Sequence, residues 1–136
     1  MSTGRNIRQF NRAINSFSNR VHDRVKQTIA ETTEIIYGQA VALAPVDDGN
    51  LKNSIEVNYS DGGFKAKITV GASYAIYVEF GTGIYAEDGN GRKTPWVYFD
   101  EKLGRYVFTR GMHAQPFFFP AVEAGGRHFE REMNRR

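Results

Sequence analysis

The feature that most constrains this chain is an apolar stripe that runs through its first third at helical spacing. Its members recur in steps of three and four, with Thr32 filling the one gap. They are Ile7, Phe10, Ile14, Phe17, Val21, Val25, Ile29, Ile36, Ala40 and Leu43. Such steps keep side chains on one face of an α-helix, and no proline interrupts the segment. We therefore predict a single long helix over residues 7–43, on the order of 55 Å in length.

Basic residues are concentrated at the N-terminal end of this predicted helix. The first thirty residues hold six basic residues and one acidic residue, a net charge of +5, whereas the remainder holds 12 basic and 14 acidic residues, a net charge of −2. We expect residues 1–28 to form a basic helical arm that projects from the domain. Its arginine ridge is either a solvated flank or a docking surface for an acidic protein or for phosphates. The ridge consists of Arg5, Arg8, Arg12, Arg20 and Arg24.

Length and composition limit the class of protein. A chain of 136 residues predicts a single domain over residues 1–136 with a modest core. The absence of cysteine excludes disulfides, thiolate metal sites and a cysteine nucleophile. No apolar run approaches the ~20 residues that span a bilayer, so we expect a soluble protein that acts where it is made. Ten Phe and seven Tyr are many for this length and indicate a partner surface.

The rest of the chain predicts an α+β fold with a small antiparallel sheet built from two hairpins. Pro45 ends the long helix, and a turn capped by Asp47 or Asp48 should hold Leu51 against the core. Alternating and β-prone segments predict strands at 55–59, 65–70, 96–99 and 105–108. Residues 82–95 are polar and glycine-rich, which predicts a mobile loop. A C-terminal helix should cover residues 121–133, with Pro120 near its start.

The aromatic stretch over residues 74–82 fits either a strand or a short buried helix, and we favour the helix. Ser73 is a candidate N-cap, and Gly81 can take a positive φ at the C-terminal end. Glu79 is an acid within an apolar run, and a buried carboxylate needs a partner. Glu79 therefore either points outward, pairs with an arginine or fixes a contact between subunits.

No pattern in the chain supports catalysis. The three histidines are scattered, and no metalloprotease, nucleophile-elbow or phosphate-loop motif occurs. Residues 100–102 resemble half of a nuclease metal site but lie at a predicted hairpin tip, and residues 88–91 begin like a calcium loop without its final Glu. We expect no catalytic residue, no metal and no cofactor. The main alternative is a basic nucleic-acid-binding module, although the aromatics lie in apolar runs instead of interleaving with basic residues.

Three segments, at residues 44–55, 74–82 and 114–121, occur in an order and spacing that is more specific than any one of them. With the long helix before them and the short one after, they resemble the small head–tail joining, or tail-completion, proteins of long-tailed bacteriophages and prophages. The resemblance implies a structural, non-enzymatic subunit of the virion neck. Such subunits form rings, often sixfold, between the head connector and the tail terminator or tail tube.

The resemblance also implies roles for particular residues. Residues of the 74–82 segment would hold the subunit core or its ring contact, and residues 116–121 would position the C-terminal helix. These candidates are Tyr74, Tyr77, Glu79, Gly81, Thr82, Pro116, Phe117, Phe118 and Phe119. The implied partners are further copies of the chain, other neck and tail proteins and DNA in passing, with no membrane. Assembly would take place in the cytoplasm of the bacterial host.

Overall fold

The first element of the fold is a single long helix. The computed structural model describes residues 3–45, 49–89, 91–101 and 103–135, and in it α1 runs without a break over Thr3–Leu43. At ~1.5 Å per residue this helix is about 60 Å long. The predicted long helix is therefore confirmed, and the weak helix formers between Asn15 and Asn19 in its N-terminal half do not interrupt it.

The remaining elements follow in the predicted order and confirm the α+β class. Two 3₁₀ turns lie at Asp61–Gly63 and Gly83–Tyr85. The helices and strands after α1 are α2 (Gly49–Asn53), β1 (Ile55–Ser60), β2 (Lys65–Val70), α3 (Ala75–Phe80), β3 (Trp96–Asp100), β4 (Arg105–Thr109) and α4 (Phe118–Met133).

Helix α4 packs along the C-terminal half of α1. Gly125 makes this possible, because a Cβ atom there would lie 2.3 Å from Cγ1 of Ile36 on α1. Near the other end of α4, the guanidinium of Arg24 donates to the carbonyl oxygens of Glu132 and Arg135, the latter at 2.7 Å. The contact between the two helices thus extends along α1 as far as Arg24.

The core lies where the C-terminal end of α1 meets the short helices and the start of α4. Its buried apolar side chains are Ala40, Ala44, Leu51, Ile55, Val78, Phe117 and Ala121. Leu51 is fully buried on the single turn of α2, as the sequence predicts. The proposed caps for that turn, Asp47 and Asp48, lie outside the described residues.

The two hairpins form separate antiparallel sheets of two strands each. The β1–β2 hairpin pairs Ile55 with Val70 and lies against α1, so that its inner face joins the core. The β3–β4 hairpin pairs Val97 with Phe108 and is largely exposed on the face that carries both residues. The hairpins therefore differ in what supports them, although they have nearly the same length.

Two local features depart from the sequence prediction, and a third stays untested. Tyr74 occupies the N-cap position of α3 without a side-chain cap, so Ser73 is not the cap. Helix α4 begins three residues earlier than predicted, and Pro120 lies in its first turn, where proline is tolerated. Within residues 82–95, Ile84 donates to the carbonyl of Arg110 at 3.1 Å. The mobility of this segment stays a prediction.

Candidate assembly interface

Glu79 connects α3 to the start of α4. It is only 5% exposed, and its carboxylate accepts hydrogen bonds from the backbone N–H groups of Phe117, Phe118 and Phe119 at 3.2, 2.8 and 3.4 Å. The first N–H groups of a helix have no partner within the helix, and the helix dipole is positive at this end. A carboxylate there accepts the unpaired hydrogen bonds and is attracted by the dipole. Glu79 therefore serves as the cap of α4, supplied by another helix. It does not point outward, and no arginine among the described residues pairs with it.

Gly81 and Thr82 attach the end of α3 to the segment between β4 and α4. Gly81 has φ of +82°, and a Cβ atom there would lie 2.9 Å from the carbonyl oxygen of Met112. Thr82 donates its N–H to that same carbonyl at 2.8 Å, and the N–H of Met112 donates to Thr82 Oγ1 at 2.9 Å. The positive φ predicted for Gly81 is present, and only glycine fits where the two backbones approach so closely.

The outer side of this motif is apolar and uncovered. Four side chains, 38–60% exposed, form what we term the α3 face: Ile76, Tyr77, Phe80 and Phe119. Two clefts, of about 600 and 440 Å³, lie beside it. Ile76 and Phe80 line both clefts, and Trp96 lies in the larger one. The sequence predicts a buried helix, but only Val78 and Glu79 of α3 are buried.

The other candidate residues lie on both sides of this motif. Tyr74 packs against the core, Phe117 belongs to it with 1% exposure, and Phe118 is half-buried against it. Pro116 is exposed in the segment between β4 and α4. The three successive phenylalanines are thus divided, because only Phe119 has its ring on the surface, 5.6 Å between centroids from Phe80. The motif that the sequence grouped together therefore contains both core and surface residues.

A second uncovered apolar surface lies on the N-terminal half of α1. Its residues, which we term the arm stripe, are 42–66% exposed: Ile7, Phe10, Ile14, Phe17 and Val21. At 100° per residue, Arg5, Arg8 and Arg12 lie roughly opposite the stripe, and Arg20 lies about a quarter of a turn from it. The arginine ridge therefore crosses α1 obliquely instead of following the stripe, because residues four apart advance by ~40° around the helix.

The β3–β4 hairpin carries a third apolar surface, which the sequence analysis did not identify. The strand register places Val97, Phe99, Tyr106 and Phe108 on one face, and all four are 52–73% exposed. The uniform β-prone composition of both strands was the available signal, because neither strand alternates polar with apolar residues. A hairpin of two strands is marginal on its own in water, so this exposed face is a further candidate contact surface.

Comparison with protein families places these surfaces in context. Residues 8–81 match the HK97-gp10-like family, whose description reads "Bacteriophage HK97-gp10, putative tail-component". The matched range is just over half of the chain. The chain belongs to this family. No curated protein and no solved structure matched the chain.

The family match confirms the predicted resemblance at the level of a bacteriophage tail component. The matched range of this tail component includes most of the arm stripe and Glu79, and ends at Gly81. It does not include α4, whose first N–H groups Glu79 caps. The family match thus includes Glu79 of the α3–α4 junction, and the N–H groups of α4 that Glu79 caps are seen only in the structure.

The part of the chain that the structure describes shows no cluster that suggests a metal centre. Among the described residues, no three side chains of His, Asp or Glu lie close enough to hold a metal ion. His128 pairs instead with Glu31 at 2.9 Å across the α1–α4 contact. No helix in the described part of the chain is long and apolar enough to cross a membrane.

Proposed function

We propose that this tail component is a structural subunit of the virion neck, where it joins the head connector to the tail as a ring of identical copies. The observation that carries the proposal is the arm stripe, five large apolar side chains that the subunit leaves uncovered. Large exposed apolar patches mark surfaces that other molecules cover. A tail component acts within an assembly, which supports the view that another subunit covers the arm stripe.

A ring requires two different surfaces on each subunit, because rotation brings the front of one copy against the back of the next. The arm stripe and the α3 face are two such surfaces, and they belong to different parts of the fold. The first thirty residues carry +5 and the rest carries −2, so an arm that meets a neighbouring body also gains favourable electrostatics. On these grounds we infer a ring in which the basic arm predicted over residues 1–28 projects from the body up to the Arg24 contact with α4. The sixfold number follows from the resemblance to head–tail joining proteins.

The inferred partners are the head connector and the tail terminator or tail tube, with assembly in the bacterial cytoplasm and a final position at the head–tail junction. We infer no enzymatic role, because the uncovered surfaces are apolar and the described residues present no constellation of nucleophile, base and orienting group. The β3–β4 hairpin provides a further apolar face with which neck or tail proteins can associate.

One observation favours a second role in contact with nucleic acid. Arg5, Arg8 and Arg12 lie opposite the arm stripe, so they stay accessible when the stripe is covered. Such a row of cations suits the phosphates of DNA that passes through a ring. Tight, strongly salt-dependent DNA binding by the monomer would favour an independent nucleic-acid-binding module over a neck subunit.

The test is native mass spectrometry and electron microscopy of the purified protein, alone and mixed with the head connector or tail tube. The proposal predicts a closed ring, at six times the subunit mass of 15.4 kDa, either alone or on a partner. A particle that stays monomeric with every neck and tail partner would contradict it.

A further inference from the structure

On the basis of the proposed ring, we propose how neighbouring copies make contact: the arm stripe of one copy crosses the α3 face of the next. Phe10 and Phe17 enter the two clefts on either side of α3, and Ile14 rests on Ile76 between them. The occupant of the α3 face is thus a second copy of this chain.

The body of the same chain cannot cover the arm stripe. Helix α1 is continuous, and α4 ends at Met133, where Arg24 contacts the carbonyls of the last turn. The Phe64 ring contacts His22 nearby, so residues 4–21 extend about 27 Å beyond the last contacts with the body. A straight helix cannot fold back on its own domain, so the cover comes from another molecule.

The spacing of the arm stripe is that of a helix that binds in an apolar groove. Its residues are spaced 3, 4, 3 and 4 apart, which is the repeat of a helix that presents one seam to a partner. Peptide helices that enter apolar grooves use anchors at this spacing. The same face of α1 continues into the α4 contact, where Thr28 and Ala40 are buried. The stripe is therefore a continuation of an established helix–helix interface.

The dimensions of the stripe and the α3 face agree. Phe10 and Phe17 are seven residues apart, which places them ~10.5 Å apart along the helix. The body of a helix with its side chains is ~10 Å wide, and the clefts lie on the two sides of the ridge formed by Ile76 and Phe80. Both clefts are in the size range of small-ligand pockets, about 300–1,000 Å³, so each has room for one phenyl ring.

Charge and area favour a contact between arm and body over one between two arms. Two paired arms would bring like charges of +5 together, whereas the rest of the chain carries −2. Five half-exposed side chains cover on the order of 400 Å² per partner, below the ~800 Å² of a standard interface. One contact is therefore weak, and closure of the ring, in which each copy gives and receives an arm, stabilises the assembly.

The lack of cysteine allows a direct test by disulfide trapping in the full chain. A protein carrying Ile14→Cys is mixed with one carrying Ile76→Cys, oxidised and run on a non-reducing gel. We expect a covalent dimer from the mixture and none from either variant alone. The matched control replaces Ile14→Cys with Asn19→Cys, which lies on the opposite side of the arm, and should give no dimer.

A second measurement compares assembly of two arm variants. Phe10→Ser with Phe17→Ser should raise the concentration at half-assembly about tenfold or more, whereas Asn15→Ser with Asn19→Ser should leave it unchanged. Dimers of Ile14→Cys alone would establish paired arms and overturn the proposal. Rings that form normally without an Ile14–Ile76 crosslink, or with both phenylalanines replaced, would overturn it while leaving the neck function intact. Failure of the parent protein to form a ring with any partner would instead overturn the proposed function.

Discussion

The two halves of α1 carry the same helical pattern of apolar residues but differ in what covers them. Around Thr28, Thr33 and Ala40 the helix is buried against the rest of the domain, and α4 runs along it. Over residues 4–21 the apolar side chains of the helix are exposed, and Phe10 and Phe17 are more than 60% exposed. The apolar pattern therefore predicts that this face of the helix packs against another surface, and it does not say which molecule provides that surface.

Side-chain size distinguishes the two halves. In the packed half the buried residues of α1 are small (Thr28, Thr33 and Ala40), and where the helices come closest it is α4 that supplies the small residue, Gly125, against Ile36 and the carbonyl of Thr32. The exposed half has Ile and Phe, which would hold a second helix further away but can fill clefts. We infer that the packed half is built for close contact within one chain, and the exposed half for insertion into another surface.

The largest expected effect comes from removing the cap that fixes α4 beside α1. Glu79→Ala should lower the free energy of unfolding by about 3 kcal/mol, because three N–H groups lose a charged acceptor in a buried site. Glu79→Gln should cost less, since its amide oxygen can still accept. Denaturant unfolding measures both, and Glu34→Ala, which changes an exposed acid, is the control. An unchanged Glu79→Ala protein would show that α4 is held by its packing alone.

A pair of isoleucine substitutions tests the two halves directly. Ile36→Ala should lower the free energy of unfolding by about 2 kcal/mol, because Ile36 packs against the core and α4. Ile14→Ala should change it by less than about 0.5 kcal/mol in the monomer, since exposed positions contribute little. Thermal and denaturant unfolding at low protein concentration give both values. Equal losses would mean that the arm is packed in the monomer.

Adjacent glycines in α4 offer a matched test of close approach. Gly125→Ala should destabilise the fold by about 1–2 kcal/mol, because its Cβ atom would lie 2.3 Å from Ile36. Gly126→Ala should stabilise it by up to about 1 kcal/mol, since nothing lies within 4 Å and alanine favours the helix. Denaturant unfolding should therefore give shifts of opposite sign. A gain at both positions would show that the two helices can separate at little cost.

The sequence predicts the elements well and their burial less well. Helical spacing identified α1, and glycine turns between β-prone runs identified both hairpins, because these signals are local. The partner of Glu79 was not predictable, since its three donors lie 38–40 residues further along the chain. The early start of α4 follows from the same contact. The sequence predicts that start at Ala121 because proline, here Pro120, is favoured at the beginning of a helix.

The exposure of α3 was also missed, and for a related reason. Tyr77 and Ile76 are as apolar as core residues, so composition predicts burial within the subunit. In an assembling protein the same composition also marks contact surfaces, and only the fold separates Val78, which faces the core, from Ile76. Residues of the 74–82 segment that the sequence groups together are therefore buried or exposed according to the side of α3 on which they lie.

The smallest expected effect concerns the His128–Glu31 hydrogen bond that joins the packed half of α1 to α4. A hydrogen bond from the His128 side chain, with a smaller one from Gln27, lowers the pKa of Glu31 below its ordinary value of 4.5. A carboxyl whose pKa is depressed by folding contributes stability above its unfolded pKa, and loses it as the pH falls through the folded value. The melting temperature of the parent should therefore exceed that of Glu31→Gln near neutral pH, and the difference should vanish in acid below 4.5. A difference that persists in acid would mean that Glu31 stabilises the helix pair through its packing and not through its charge.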